Sequence, residues 1–274
     1  KFDKKSKNLI SIEIKNAEIN QLKTNHAFTE KWSVYKKKIN IKQSRINQNF
    51  QKKWFYDMYG FKKKSLEKTI KKSRIILDAG CGMGDKSAWF ASISKDSIVI
   101  GVDSSDAIYS AAKKYEDKYD NLFFFRGDIS NLPIKKNKID FLLCDQVIMH
   151  TSDPSKTLRH LSSLTKLHDG EFCCYWYAKK ALPRELLDDH FREYSKTLTH
   201  KELWELSKGL TLLGKNLSKL NLKVEIPALP ALGIKKQKTD IQRFIYWNFL
   251  KCFWNNELGT DTSILTNFDW YSPV

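Results

Sequence analysis

The sequence predicts an α/β fold, a doubly wound and mostly parallel sheet with a basic helical arm before it and a helical segment after it. Three observations predict it. Apolar runs near 74–79, 98–103, 121–126, 139–145 and 170–177 have the length and the β-branched or aromatic content of buried strands. Segments with helical spacing near 85–94, 105–118 and 154–167 alternate with them, and strand–helix alternation builds a parallel sheet. A turn with three glycines at alternate positions, Asp78-Ala79-Gly80-Cys81-Gly82-Met83-Gly84, follows the first run directly. The expected division is a basic, mainly helical arm over 1–73, a ligand-binding core over 74–177 and a helical, aromatic-rich lid or insertion over 178–274.

The arm comes first. Residues 1–74 contain 21 Lys and Arg against 6 Asp and Glu, a balance of +15, while the rest of the chain carries +2. Such an arm can steer nucleic acid, an acidic membrane surface or a phosphorylated substrate. Its lysines are scattered among Asn and Gln and set no Arg-rich face, which equally fits a lysine-rich composition on a solvated surface. Aromatic residues interrupt it at 25–37 and 50–61, where Phe50, Trp54 and Asp57, or Phe55 and Tyr59, share a helical face.

The first strand and its turn carry the ligand chemistry. Glycines without a Cβ let the backbone bend sharply and approach a ligand, and a helix starting at Asp85 points its first N–H groups back at the turn. A dinucleotide fingerprint needs its third glycine one residue later, where Asp85 stands, so a pyrophosphate reader is disfavoured. Asp78 would repel a phosphate but suits an ammonium or sulfonium centre. The second strand ends at Asp103, 23 residues after Gly80, near the spacing at which a carboxylate accepts from ribose hydroxyls. A cationic nucleoside fits both signals.

On these residues, and over about 75–177, the chain resembles the class I S-adenosylmethionine-dependent methyltransferases, which have a Rossmann-like core. The resemblance implies S-adenosyl-L-methionine as cofactor. It implies that Asp78, Gly80, Cys81, Gly82 and Gly84 lie beside the methionine part, and that Asp103, with Ser104 next to it, binds the ribose. Asp128 would face the adenine amine and Ile129 would pack on its ring. Asp145, Gln146 and Val147 would stand at the carboxyl end of the fourth strand. Plainer readings are a helix cap for Asp103, a turn before Pro133 for Asp128 and simple packing for Cys81, which has no activating neighbour in sequence.

Methyl transfer asks mainly for alignment and, with a hydroxyl acceptor, for removal of a proton. His150, after the fourth strand, has a reference pKa suited to a general base, or else caps the helix that Asp153-Pro154 opens. Tyr177, with Tyr175, would line the acceptor pocket. Trp32, Trp54 and Tyr59 are candidates for the aromatic cover that similar enzymes fold over the cofactor, with plain helix docking as the alternative. Asp145-Gln146-Val147-Ile148 stands where methyltransferases acting on exocyclic base amines carry Asn-Pro-Pro-Tyr, and no His–Cys cluster suggests a metal.

After 177 the pattern reads as helices over 183–195, 199–219 and 239–254, with only 222–226 extended. The expectation is a lid inserted before the last strands of the sheet, with the chain stopping short of them. Tyr246, Phe249 and Phe253 read as a buried stripe, and Asn267-Phe268-Asp269-Trp270-Tyr271 as a loop able to grip a sugar or another polar ring.

A hydrophobic content of 41% fits a folded chain, no run approaches a membrane span, and no secretory signal opens it. The five cysteines are odd in number and form no C-x-x-C, so the expected setting is reducing and cytoplasmic. Without an initial Met, residue 1 is expected not to be a natural start. The expected function is methyl transfer to a small metabolite, such as a sugar or nucleotide-linked intermediate. The alternative is an RNA-associated methyltransferase, or a non-catalytic nucleic-acid binder, using the basic arm.

Overall fold

The computed structural model describes residues 2–12 and 19–272. In chain order the elements are β1 (Phe2–Ser6), β2 (Leu9–Ile12), α1 (Ile19–Lys38), α2 (Ile41–Tyr59), α3 (Lys63–Lys72), β3 (Ile75–Ala79), α4 (Asp85–Ile93), β4 (Ile98–Asp103), α5 (Ala107–Tyr115) and β5 (Leu122–Arg126). There follow β6 (Phe141–Asp145), a 3₁₀ turn (Ile148–His150), α6 (Pro154–Leu164), β7 (Glu171–Tyr175), α7 (Leu182–Ser195), α8 (His200–Lys219), β8 (Lys223–Ile226), a second 3₁₀ turn (Pro230–Leu232), β9 (Gln237–Asp240), α9 (Ile241–Asn248) and α10 (Gly259–Tyr271). Two compact units result. The first takes the described residues up to Ser33 with Gln51–Tyr177, and the second takes Val34–Phe50 with 178–272.

The first unit is built on one sheet in the order β1-β2-β5-β4-β3-β6-β7. Every pairing in it is parallel except β1 with β2. The chain winds outward in both directions from β3, so the carboxyl ends of β3, β4 and β6 flank the crevice where such sheets take ligands. Alternate residues feed two cores. Ile76, Phe141, Leu143 and Phe124 join Leu66, Ile70, Phe90, Ile108 and Ala111 from α3, α4 and α5 on one face. On the other face Leu77, Val102, Leu142 and Cys144 meet Leu161 and Leu164 of α6. Burial on both faces explains why the strands read as continuous apolar runs.

The arm departs from its expected helical character at its start. Residues 2–12 form β1 and β2, and β2 adds in parallel to β5 through Leu9–Phe124 and Ile10–Phe125 pairs. The edge of β5 offered unpaired backbone groups, and the Phe124 N–H donates to the Asn8 carbonyl at 2.7 Å. Phe55 of α2 is fully buried against Tyr59, Phe61, Trp89 and Phe90, so this aromatic stretch of the arm is core.

In the second unit, α8 and α10 pack through Leu203, Leu210, Phe268 and Tyr271. Thr199 and Glu202 form a reciprocal capping box that starts α8. A Cβ on Gly214 would stand 2.2 Å from the Cys252 carbonyl, which is how α8 admits the 249–258 segment so closely. Two expectations are corrected here. The helix over 239–254 is instead β9, paired antiparallel with β8, followed by α9, which Asp240 caps by accepting the Arg243 N–H at 2.9 Å. Asn267–Tyr271 is no loop: it closes α10, with Asn267 fully buried and donating to Thr211 Oγ1 (2.8 Å) and to the Phe253 carbonyl (3.1 Å). No helix among the described residues is long and apolar enough to cross a membrane.

Candidate active site

The turn after β3 is held from below by β4: the N–H groups of Gly80 and Cys81 donate to the Val102 carbonyl at 2.7 and 2.9 Å. Gly80, Gly82 and Gly84 all have left-handed backbones, with φ of 83°, 52° and 73°. Each is crowded as well. An added Cβ would come within 2.3 Å of Val147 at Gly80, 2.7 Å of Trp32 at Gly82 and 2.7 Å of Phe124 at Gly84. The Gly82 N–H donates to Asp103 Oδ2 at 2.8 Å, and Asp103 Oδ1 accepts from the Ser105 N–H (2.8 Å) and hydroxyl (2.6 Å). Asp103 therefore ties the glycine turn to the end of β4.

Three carboxylates converge at these strand ends. Asp78 is buried under the turn and accepts the Ser87 hydroxyl at 2.6 Å. Burial pushes its carboxyl up to about 6, against the Ser87 hydrogen bond and Lys86, with Asp145 and Asp103 adding to the rise. Burial, then the negative charge of Asp78 and Asp103, holds the Cys81 thiol well above its ordinary range, so this cysteine packs as a neutral thiol. The surplus of negative charge is an environment that favours a cation in the crevice.

Asp145, almost wholly buried at the end of β6, is gripped by the Lys86 ammonium and by the Tyr59 hydroxyl at 3.0 Å. Burial and Asp145 keep the Tyr59 phenol above its usual range and therefore protonated. Gln146 then takes a left-handed backbone (φ 61°), which turns the chain off β6 and sets Val147 against Gly80. An aromatic wall adjoins this group. Trp54 meets Tyr59 and Tyr175 edge-on, Tyr175 meets Tyr177, and Tyr177 meets His150, with ring centroids 5.0–6.4 Å apart.

One face of α1 lies across these same elements. Gln21 accepts the Ser152 N–H at 2.9 Å and donates to the His150 carbonyl. Asn25 accepts the Ser104 hydroxyl at 2.8 Å, Phe28 packs edge-on against His150, and Thr29 accepts the Asp106 N–H at 3.1 Å. Trp32 covers Gly82. Residues 21, 25, 28, 29 and 32 have the spacing of a single helical stripe, the signal that could have identified them from sequence. Sequence reasoning singled out Trp32 and passed over the other four, and it also passed over Lys86, whose partner lies on a distant strand.

The remaining expected residues sit differently. Both oxygens of Asp128 are turned onto Ser130, at 2.8 Å from its N–H and 2.7 Å from its hydroxyl, the geometry of the plainer turn reading. Ile129 is buried in the core with Leu132 and Ile139. Asp153, not His150, caps α6 by accepting the Lys156 N–H at 2.8 Å. Among the described residues no group of three or more His, Cys, Asp or Glu could hold a metal ion.

The chain is similar to known proteins. A family model described as "Methyltransferase domain" matches residues 70–243. The chain is 36% identical over 115 residues to an uncharacterized methyltransferase of Schizosaccharomyces pombe, covering 39% of this chain and 41% of that protein. It is 26% identical over 195 residues to a ubiquinone biosynthesis O-methyltransferase of Coxiella burnetii, covering 66% of this chain and 77% of that one. A solved SAM-dependent methyltransferase from Aquifex aeolicus superposes on 38% of this chain and 57% of its own, with 21% identity and a TM-score of 0.35.

Proposed function

This chain belongs to the methyltransferase-domain family, and on that premise we propose that it methylates a hydroxyl of a small molecule, with S-adenosyl-L-methionine as donor. One observation carries the reading: a crowded left-handed glycine turn, bonded to Asp103, stands among three carboxylates at the strand ends where the winding reverses. That setting fits a nucleoside with a cationic centre. When bound, the cofactor supplies a methyl group already activated on sulfur.

Gly80, Cys81, Gly82 and Gly84 would hold the amino-acid end against the turn, with Asp78 supplying negative charge from beneath. Asp103 and Ser104 would hold the ribose. Asp128 and Ile129 would bound the base, provided Asp128 gives up part of its hold on Ser130. Asp145, Gln146 and Val147 shape the opposite wall. His150 takes the proton from the acceptor hydroxyl, while Tyr177, Tyr175 and Trp54 orient the acceptor and keep water away.

The aromatic wall supports a planar acceptor, and the O-methylation named for the Coxiella relative supports a hydroxyl. A sugar acceptor loses the loop that argued for it, because Asn267–Tyr271 closes a packed helix. Titration calorimetry with S-adenosyl-L-methionine, followed by methyl transfer to a panel of phenols, tests the reading. Binding is expected, together with transfer that drops about 10²–10⁴-fold in kcat in His150→Gln at unchanged cofactor affinity. Absence of cofactor binding would sink it. Tight RNA binding with a steep salt dependence, in place of phenol methylation, would favour the nucleic-acid alternative.

A further inference from the structure

The second unit buries an excess of positive charge around two aromatic rings. Lys251 is 6% exposed, and its ammonium lies 4.4 Å from the Trp270 ring centre, 5.3 Å from that of Tyr246 and 5.8 Å from that of Phe253. The Arg184 guanidinium, 1% exposed, stands 5.4 Å from Trp270 and 5.5 Å from Tyr246, and that of Arg192 4.9 Å from Trp270. Three cations thus share one indole. Arg184 is satisfied: its Nε donates to Asp188 Oδ2 at 2.8 Å and its Nη1 to the Tyr246 carbonyl. Asp188 is in turn taken by the Tyr271 hydroxyl at 3.3 Å.

Lys251 and Arg192 are not satisfied in this way. Among the described residues neither has a carboxylate at ion-pair distance, and the polar contact of the Lys251 ammonium is the Tyr246 hydroxyl at 3.4 Å. Asp188 and Asp269 act on Lys251 from farther away, opposed by Arg184 and Arg192. Burial first, then Arg184, pushes the Lys251 amine down to about 7. Burial also lowers Lys180, with Arg184 and Lys251 adding to the fall, while Glu185 holds the Lys180 backbone N–H. A buried amine with no carboxylate at ion-pair distance, beside the half-buried Arg192, is costly to keep charged unless an anion joins it.

We propose that Lys251 and Arg192, supported by Arg184 and framed by Trp270 and Tyr246, form an oxyanion site that takes a phosphate group. The Arg192 guanidinium fork and the Lys251 amine, which a bound anion would draw back into its charged form, supply donors suited to phosphate oxygens. Arg192, Trp270 and Tyr246 are half-buried, so the cluster reaches the surface of its unit. The site stands independently of the methyl-transfer reading, since its residues all lie in the second unit.

Thermal unfolding of the whole chain with inorganic phosphate, at ionic strength held constant with chloride, tests it, with acetate as a carboxylate arm. Phosphate is expected to raise the Tm saturably, and its apparent affinity to fall about tenfold or more in Lys251→Met and in Arg192→Gln. Arg192→Gln decides the matter if Lys251→Met fails to fold, because among the described residues the half-buried Arg192 guanidinium rests against Trp270 with no ion pair to lose. A Tm rise equal to that in chloride, one matched by acetate, or one that survives the substitution overturns the phosphate site.

Discussion

The backbone N–H of Gly82 donates to the carboxylate of Asp103 at 2.8 Å, joining the glycine turn after β3 to the end of β4. The same carboxylate holds Ser105, so one side chain sets the shape of two loops at the mouth of the crevice. Asp103→Ala removes both ties and the acceptor expected for the ribose. It should weaken S-adenosyl-L-methionine binding about tenfold or more by calorimetry. Equal affinity in the variant and the wild type would contradict the assignment.

Trp32 of α1 rests on Gly82, and the turn tolerates no side chain there for two separable reasons. The left-handed backbone costs about 1–2 kcal/mol for any residue with a Cβ, and that Cβ would also stand 2.7 Å from the indole. Gly82→Ala should therefore destabilise the fold and impair cofactor binding. Adding Trp32→Ala should recover the crowding part and leave the backbone part, which a double-mutant cycle by urea unfolding reads as a favourable coupling. Strictly additive effects would mean that the contact carries no energy.

Lys86 neutralises Asp145 where β6 ends, and Tyr59 completes the group. Lys86→Met leaves an uncompensated carboxylate that is nearly out of solvent, and should cost about 3 kcal/mol of stability. Tyr59→Phe removes a neutral donor and should cost about 1 kcal/mol. Urea denaturation orders the two. A smaller loss for Lys86→Met than for Tyr59→Phe would show that water reaches Asp145.

Asp78 carries a pH signature. Its carboxyl is raised to about 6 in the folded chain against 3.8 for the ordinary group, so the folded state binds the extra proton between those values. Stability contributed by this group is full below pH 3.8 and is lost as pH rises to about 6, staying level above. Asp78→Asn should flatten that segment of the stability profile and gain on the order of 2–3 kcal/mol at pH 7. A wild-type profile that rises over this window with the same slope as the variant would refute the raised value.

Much of the first unit was legible because it is encoded locally. Ile75–Ala79, Ile98–Asp103 and Phe141–Asp145 announce themselves by apolar length, and the glycines between Asp78 and Asp85 mark the turn by a backbone requirement that only glycine meets without strain. The stretch from Phe2 to Ile12 escaped because Asp3, Lys4, Lys5, Ser6, Lys7 and Asn8 separate its apolar residues and its strand character comes from pairing with β5. Asn267–Tyr271 escaped because polar residues in a short aromatic stretch resemble a loop until Thr211 and Phe253 satisfy the Asn267 amide.

By itself the sequence determined the strand–helix order, the glycine turn and the acidic residues that end β3, β4 and β6, since each depends on neighbours a few positions away. The tertiary structure alone decided that Lys86 meets Asp145, that Trp32 covers Gly82, and that Lys251 and Arg192 share the Trp270 ring. These pairings join residues far apart in the chain, and their cost in chain entropy and desolvation is met only once the surrounding core has closed.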